Sequence, residues 1–510
     1  MRSVTTGIQG VAVAVVLLLL SASSVAAQER IAITPVTVVD VIEGLLHADH
    51  TVLVEDDRVV AVGPEDEVAV PPGAIVVDGT GGYLIPGLWD MHTHLLWSTD
   101  ATEHYFTEMP DGVDSWTLWE HYYGPTLDLL VANGVTGIRE MAGNLDVARR
   151  VRQGADAEER FAPRMVVAGH WVDGPPRLWP GMIVVATPEE ARSAVDSLAA
   201  AGAAFIKVRN RVRPDEYQAI ARRTKELGIP LAGHVPWLIR ATDAVDAGQR
   251  SVEHLTGVVE GCSSSQGELI ELNRQILEAL TKREEAVADS LGDRFFTRML
   301  ATPDDARCRS LLRHLARSET WQAPTLVLRR GPDHYLKYGE MNDEPLLKYV
   351  HPAWRTSWAP ENDPYSQKTE EVYRQRMRWY DRKQEIVGMA AEEGVPMLAG
   401  SDTPNAFVFP GFSLHEEMEL LVGSGLTPLE ALQAATINPA RFLGAADSLG
   451  TVEEGKLADL VLLEANPLDE ITNTQRIRAV VADGRLYRRA KLDRLLDEVE
   501  AFFEQTYKQE

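Results

Sequence analysis

Residues 84–95, LIPGLWDMHTHL, read as a short apolar strand that ends on two histidines two positions apart. Side chains alternate between the faces of a strand, so His92 and His94 project to the same side and one metal ion can take both. Imidazole nitrogen and carboxylate oxygen suit Zn2+ and related first-row ions, and a catalytic site leaves one position open for water. Asp402 in PMLAGSDTP (396–404) is the natural carboxylate ligand and proton acceptor, and His234 in PLAGHVP and His254 in SVEHL supply nitrogen for a second ion. Lys207 closes the apolar run AAFIKVRN (203–210), where an ordinary ammonium would repel both metals. A lysine amine that has added CO2 becomes an anionic carbamate whose two oxygens can bridge two ions. Low dielectric and nearby positive charge favour the neutral amine that this reaction needs.

Working outward, apolar strand-like runs alternate with helical stretches, as in βα units around a parallel sheet. Eight strands are expected: LIPGLWDMHTHL, VTGIREM (135–141), RMVVAG (164–169), AAFIKVR (203–209), PLAGHV (230–235), SVEHL (251–255), WQAPTLV (321–327) and PMLAGSD (396–402). All six candidate ligands lie toward the ends of these strands, where a (β/α)8 barrel carries its active site. Periodicity by itself does not separate a closed barrel from an open doubly wound sheet. Helix punctuation is plain in RPDEYQAIARRTKELG (213–228), which opens on Pro214 and ends at Gly228. In FSLHEEMELLVGSG (412–425), Ser413 and Glu416 stand in capping-box spacing, which assigns His415 to the helix start and not to a metal.

At the chain ends, β-branched runs broken by Gly, Pro and acidic turns occupy 28–83 and return at 447–490, which suggests one small β domain built from both termini. Two connections, 256–320 and 328–395, are far longer than ordinary βα loops and are expected to shape access to the ligand-bearing face. Both contain helical patterns, and a last helix is expected over 491–510.

With these pieces in hand, the sequence resembles the amidohydrolase superfamily, specifically its imidazolonepropionase-like or prolidase-like branch of metal-dependent amidases and carboxypeptidases. The likeness rests on PGLWDMHTH, FIKV, LAGHVP, SVEHLTG, LAGSDTP, LTPLEALQAATINPARFLG (426–444) and GTVEEGKLADLVLL (450–463). It implies an α/β fold, a (β/α)8 TIM barrel over 84–446 plus a β-sandwich from both ends of the chain. It further implies that His92, His94 and Asp402 hold one metal, that His234 and His254 hold the second, and that N6-carboxylated Lys207 bridges them, with zinc as the expected ion.

The first residues, MRSVTTGIQGVAVAVVLLLLSASSVAAQER, carry Arg2, an apolar run from Val11 to Leu20 and the small residues Val25-Ala26-Ala27. This is the pattern of a secretory signal peptide over 1–27, so the mature chain is expected to be exported, periplasmic or secreted, and free of the membrane. The run is too short for a transmembrane span. Cys262 and Cys308 are the two cysteines; in an oxidising compartment they can pair, and in a large core they need not. With 50 basic against 76 acidic residues the net charge is −26, which argues against nucleic acid and anionic membrane as partners.

The expected reaction is hydrolysis of an amide by metal-activated water, with Asp402 as general base and then general acid. The expected substrates are small molecules, dipeptides or N-acyl amino acids. Alternation from Lys207 turns Arg209 toward the site, where a guanidinium pairs well with a substrate carboxylate. Arg211 and Arg213 follow closely, and His170, Trp171 and Trp179 after the third strand are further candidates to line the pocket. Arg139 is expected to form an internal pair with a carboxylate. A lactone, cyclic amide or ester hydrolase with the same metals is one alternative, and a degenerate solute-binding protein on the same fold is another. Homo-oligomerisation is compatible with either.

Overall fold

The computed structural model describes residues 30–96, 114–157, 160–177, 181–328, 344–358 and 369–509. Segment 1–27, expected as a signal peptide, Trp179 and residues 329–343 and 359–368 of the 328–395 connection lie outside the described residues. In chain order the strands are β1 (Arg30–Val39), β2 (Leu46–Glu55), β3 (Arg58–Pro64), β4 (Ile75–Asp78), β5 (Tyr83–Pro86), β6 (Leu88–Thr93), β7 (Val135–Glu140), β8 (Arg164–Val167) and β9 (Val172–Asp173). They continue as β10 (Ile183–Val184), β11 (Ile206–Val208), β12 (Leu231–Gly233), β13 (Gln249–Glu253), β14 (Trp321–Ala323), β15 (Leu460–Leu463), β16 (Ile477–Ala482) and β17 (Arg485–Arg488).

Both chain ends build one sheet, in the order β17-β16-β15-β5-β1-β2-β3, with β4 also on β1. The join is made by β5, parallel to β1 and antiparallel to β15, where Leu84 faces Leu462. Ile31, Ile33, Val52, Val54, Leu84, Leu460 and Val481 form a separate buried core on this sheet. The expected single strand LIPGLWDMHTHL is therefore two strands in two sheets, divided at Gly87. There the Gly87 N–H donates to Asp459 O (2.7 Å), and a Cβ would lie 2.1 Å from Thr136 Oγ1. Only glycine lets the two sheets approach so closely.

In the middle of the chain the strands are parallel. β6 pairs β7 and β7 pairs β8, while β10, β9, β11, β12, β13 and β14 form a second run. Ala204 N donates to Val167 O (2.8 Å) between the two groups. Residues 396–402, expected as the eighth strand, form no regular strand. They touch both flanks through single bridges, with Gln322 N to Pro396 O (2.9 Å) on one side and Asp402 N to His92 O (2.7 Å) on the other. At the end of this segment Asp402 has φ +64°, a left-handed conformation outside the β region.

Helices between the strands start and stop on their sequence signals. Pro188–Ala201 has Pro at its first turn, Thr187 Oγ1 accepting from Glu190 N, and Gly202 at φ 92° after its end. Pro214–Leu227 likewise ends at Gly228, φ 69°. Phe412–Gly423 departs from expectation: Gly411 is its cap and Ser413 lies inside the first turn, where its Oγ accepts from Phe409 N (2.8 Å). The capping box sits instead at Thr427 and Glu430. His415 is buried and bonded to Thr474 Oγ1 and Asn133 O, a structural role. The 256–320 connection is helical, with Gln266–Thr281, Glu285–Ala301 and Asp305–Arg317, and a Cys262–Cys308 disulfide closes it over 46 residues. The later connection contains Glu370–Glu392, and the chain ends in Arg489–Gln509. No helix among the described residues is long and apolar enough to cross a membrane.

Candidate metal centre

The carboxyl ends of β6, β11, β12 and β13 and the 396–403 segment converge on one buried point. His92 Nε2 lies 3.3 Å and His94 Nε2 3.0 Å from Asp402 Oδ1, and His254 Nε2 lies 3.7 Å from Asp402 Oδ2. Lys207 Nζ is 3.2 Å from His92 Nε2. The His234 ring stands perpendicular to that of His254 with centroids 5.0 Å apart. All six residues marked in the sequence are thus brought together. Donor atoms of His92, His254 and Asp402 lie within 4.8 Å of one another, close enough for one ion.

Two of these residues sit in the left-handed region, His254 at φ +60° and Asp402 at φ +64°. For a non-glycine residue this costs on the order of 1–3 kcal/mol and persists where surroundings enforce it, typically at functional sites. The effect on direction is specific. Regular alternation would turn Glu253 away if His254 faced the site; the left-handed turn lets both neighbours face inward.

Each of three imidazoles is already engaged through Nδ1. His92 Nδ1 donates to Glu253 Oε2 (2.9 Å) and His234 Nδ1 to Asn210 Oδ1 (2.6 Å). His254 Nδ1 meets Thr325 Oγ1 (2.5 Å), whose own proton goes to Pro324 O (2.8 Å), so the imidazole is the donor there too. With Nδ1 carrying the proton, Nε2 keeps its lone pair for a metal. Asp90 ties the two ligand-bearing segments: its Oδ1 accepts from His92 N (3.1 Å) and Ser401 N (2.9 Å), its Oδ2 from Ser401 Oγ (2.5 Å). Glu140 Oε2 accepts from Thr93 Oγ1 (2.9 Å) and Leu95 N (2.8 Å), fixing the turn after His94.

Burial sets the charge states. Loss of solvent, reinforced by neighbouring positive groups, pushes His92, His234 and His254 well below 6.5 and lowers His94 as well, so all four imidazoles are neutral donors. Burial alone would raise Asp402, but its contacts with His92, His94 and Lys207, strongest when those groups carry a proton, outweigh it and hold the carboxyl at about 2. Burial brings Lys207 down from 10.5 to about 7, with Arg209 adding to the shift against the pull of Asp402. Burial raises Asp90 to about 6 and Glu140 to about 8 against the hydrogen bonds that each accepts.

The substrate-side candidates fare unevenly. Arg209 lies 4.4 Å over the Trp171 ring, and Trp171 stands edge-on to His94 at 5.6 Å, so the guanidinium borders the centre. His170 is half-buried one residue earlier, with no hydrogen bond or ring contact to the six residues among those described. Arg211 is consumed by a buried pair with Asp173 (2.6 Å) and by Pro176 O. Arg139 forms the internal pair expected of it, with Glu253. Sequence reasoning passed over Glu253, Asn210, Thr325 and Asp90. Their one available signal was position, each within three residues of a ligand or, for Thr325, in the next strand's exit.

Comparison with known proteins follows the same line. The Amidohydrolase family pattern matches residues 378–487. An imidazolonepropionase of Thermoplasma volcanium is 38% identical over 93 residues, 18% of this chain and 22% of the relative. An ochratoxinase of Aspergillus niger is 36% identical over 104 residues, 19% of this chain and 21% of the relative. The matched segments thus span about a fifth of each relative's length. In fold, the chain is similar to a Xaa-Pro dipeptidase crystallised with methionine in its active site: TM-score 0.63, 18% identity, 90% of this chain and 100% of the other covered. The chain is thus similar to the Amidohydrolase family in its C-terminal part and to short stretches of these relatives, and its fold is similar to that of the dipeptidase.

Proposed function

We propose that this chain is an exported, metal-dependent hydrolase that binds two divalent ions, zinc for preference, and cleaves a C–N amide bond in dipeptides or N-acyl amino acids. The observation that carries the reading is the convergence of four neutral imidazoles, an anionic Asp402 and a buried lysine of lowered basicity at one point. Nitrogen and oxygen donors of this kind suit zinc. His92, His94 and Asp402 would hold one ion and His234 and His254 the other, with Lys207 as a carbamate between them. When bound, such ions supply an activated water at neutral pH and polarise a carbonyl.

The chain's own residues do the rest. Asp402 takes a proton from the attacking water and delivers it to the leaving nitrogen. Arg209, braced on Trp171, meets a substrate carboxylate with a bidentate pair. The likeness to the Xaa-Pro dipeptidase and the ochratoxinase supports an amide over an ester. The architecture belongs to the same proposal: parallel strands between 88 and 403 closing as a (β/α)8 barrel, supported by the hydrogen bonds that link 396–403 to both β14 and β6, with the terminal sheet folded as a β-sandwich. Export is supported by the Cys262–Cys308 pair, since disulfides persist in oxidising compartments.

The test is turnover of matched dipeptides, N-acyl amino acids and esters by purified protein supplied with zinc and bicarbonate. Chelator-sensitive cleavage of carboxylate-bearing amides is expected. Absence of any amide cleavage by the metal-loaded protein would refute the reading, and a preference for the esters would replace it.

A further inference from the structure

The fully buried Glu253 sits where one carboxylate serves two masters. Its Oε2 accepts from His92 Nδ1 (2.9 Å) and from Arg139 Nη2 (2.9 Å), and its Oε1 accepts from Arg139 Nη2 (2.9 Å) and Ser251 Oγ (2.6 Å). Arg139, equally buried, is itself clamped: Nε donates to Met91 O (2.6 Å), one residue before His92, and Nη1 to Ser251 Oγ (2.9 Å). Two contacts of this cluster reach His92 directly or through the backbone before it, Glu253 Oε2 with His92 Nδ1 and Arg139 Nε with Met91 O, and the others hold Glu253 and Arg139 in place for them.

Stability does not explain such a cluster. Buried ion pairs lose in desolvation much of what they gain, and apolar replacements of both partners are often neutral or stabilising. Orientation does explain it. A carboxylate on one ring nitrogen fixes the tautomer, aims the other nitrogen and raises its basicity. We propose that Glu253, held by Arg139 and Ser251, is a positioning residue that locks His92 as the Nδ1–H tautomer and aims its Nε2 at the metal. The inference rests on the metal reading above. It also gives the left-handed backbone of His254 a purpose: the turn lets Glu253 orient a ligand of one ion while its neighbour His254 holds the other.

Two double variants separate orientation from charge balance. Glu253→Gln with Arg139→Gln deletes the buried charges but keeps an acceptor opposite His92; Glu253→Met with Arg139→Met deletes both charges and acceptor. Zinc affinity is read by competition with a chromophoric chelator, and folding by melting of the metal-free proteins. The Met pair is expected to bind at least one zinc equivalent about 10- to 100-fold more weakly than wild type, and the Gln pair to stay near wild type. A Met pair that binds like wild type, or a Gln pair as weak as the Met pair, overturns the inference. Should the Met pair fail to fold, the ring-nitrogen chemical shifts of His92 in 15N-labelled metal-free wild type decide: an Nδ1-protonated ring supports it and an Nε2-protonated ring refutes it. Wild type that binds no zinc at all would remove the metal reading itself, with the tautomer measurement still deciding the role of Glu253.

Discussion

Replacing Cys262 and Cys308 together by alanine removes a cross-link between residues 46 apart in sequence. In the chain-entropy treatment, closing such a loop in the unfolded state is worth about 2.1 + 1.5R ln n in entropy, which for this n comes to about 4 kcal/mol at 25 °C. Both sulfurs are buried, at 1% and 0% exposure, so their loss adds a smaller cavity term of the same sign. The cross-linked segment holds the helices Gln266–Thr281 and Glu285–Ala301, and Phe296 of the second packs edge-on against Trp379 at 5.7 Å. Urea unfolding followed by tryptophan fluorescence should therefore register the loss, and limited proteolysis should find new cuts within 263–307. Thiol titration in guanidinium should detect no free thiol in protein isolated from an oxidising compartment. A variant within about 1 kcal/mol of wild type, or free thiols in the native protein, would refute the loop argument.

Other perturbations test other parts of the account. Because burial lowers Lys207 to about 7 from 10.5, its amine is neutral in the folded protein above pH 7 while the unfolded chain keeps it protonated up to about 10.5. CO2-dependent metal loading at fixed CO2 pressure should rise through pH 7, and a midpoint near 10.5 would contradict the reading. Lys207→Ala should lose bound metal and turnover, with partial recovery on adding small carboxylic acids; full metal content and activity in the variant would dismiss the carbamate. Arg209→Ala should lower kcat/KM for carboxylate-bearing substrates by about 10- to 100-fold, the worth of a charged hydrogen bond, and leave their amidated analogues unchanged; equal losses on both would remove Arg209 from recognition. Gly137→Ala places a Cβ 2.2 Å from Cε2 of the buried Trp89 and should destabilise by about 1–3 kcal/mol or more; wild-type stability in denaturant would contradict the packing described.

Much of the candidate centre was legible in the residues because potential metal-binding side chains declare themselves by type and spacing. The His92-x-His94 pair and the lysine ending an apolar run converge as the alternation of strand side chains requires, and Asp402 joins them from a segment that is not a regular strand. The supporting residues were hidden for physical reasons. Glu253 is adjacent to His254, and period-two reasoning places neighbours on opposite faces; only a left-handed φ at His254, which no local sequence signal announces, brings both inward. The split of residues 84–95 at Gly87 was hidden in the same way, since an apolar run does not declare which sheet it joins; the answer lies in Thr136 and Asp459, distant in sequence. The eighth strand was read from apolar residues that are indeed buried, but the backbone around Asp402 trades ladder geometry for ligand direction. At Ser413 the capping signal was outcompeted by Gly411, which supplies the positive φ (79°) at the helix entrance.

The central claim is that this pocket holds divalent ions, and elemental analysis of the folded, reconstituted protein addresses it without any assumption about substrate. The account predicts about two zinc-class ions per chain after incubation with metal and bicarbonate, as a two-metal hydrolytic site requires. Folded protein that retains no stoichiometric metal under those conditions would contradict it.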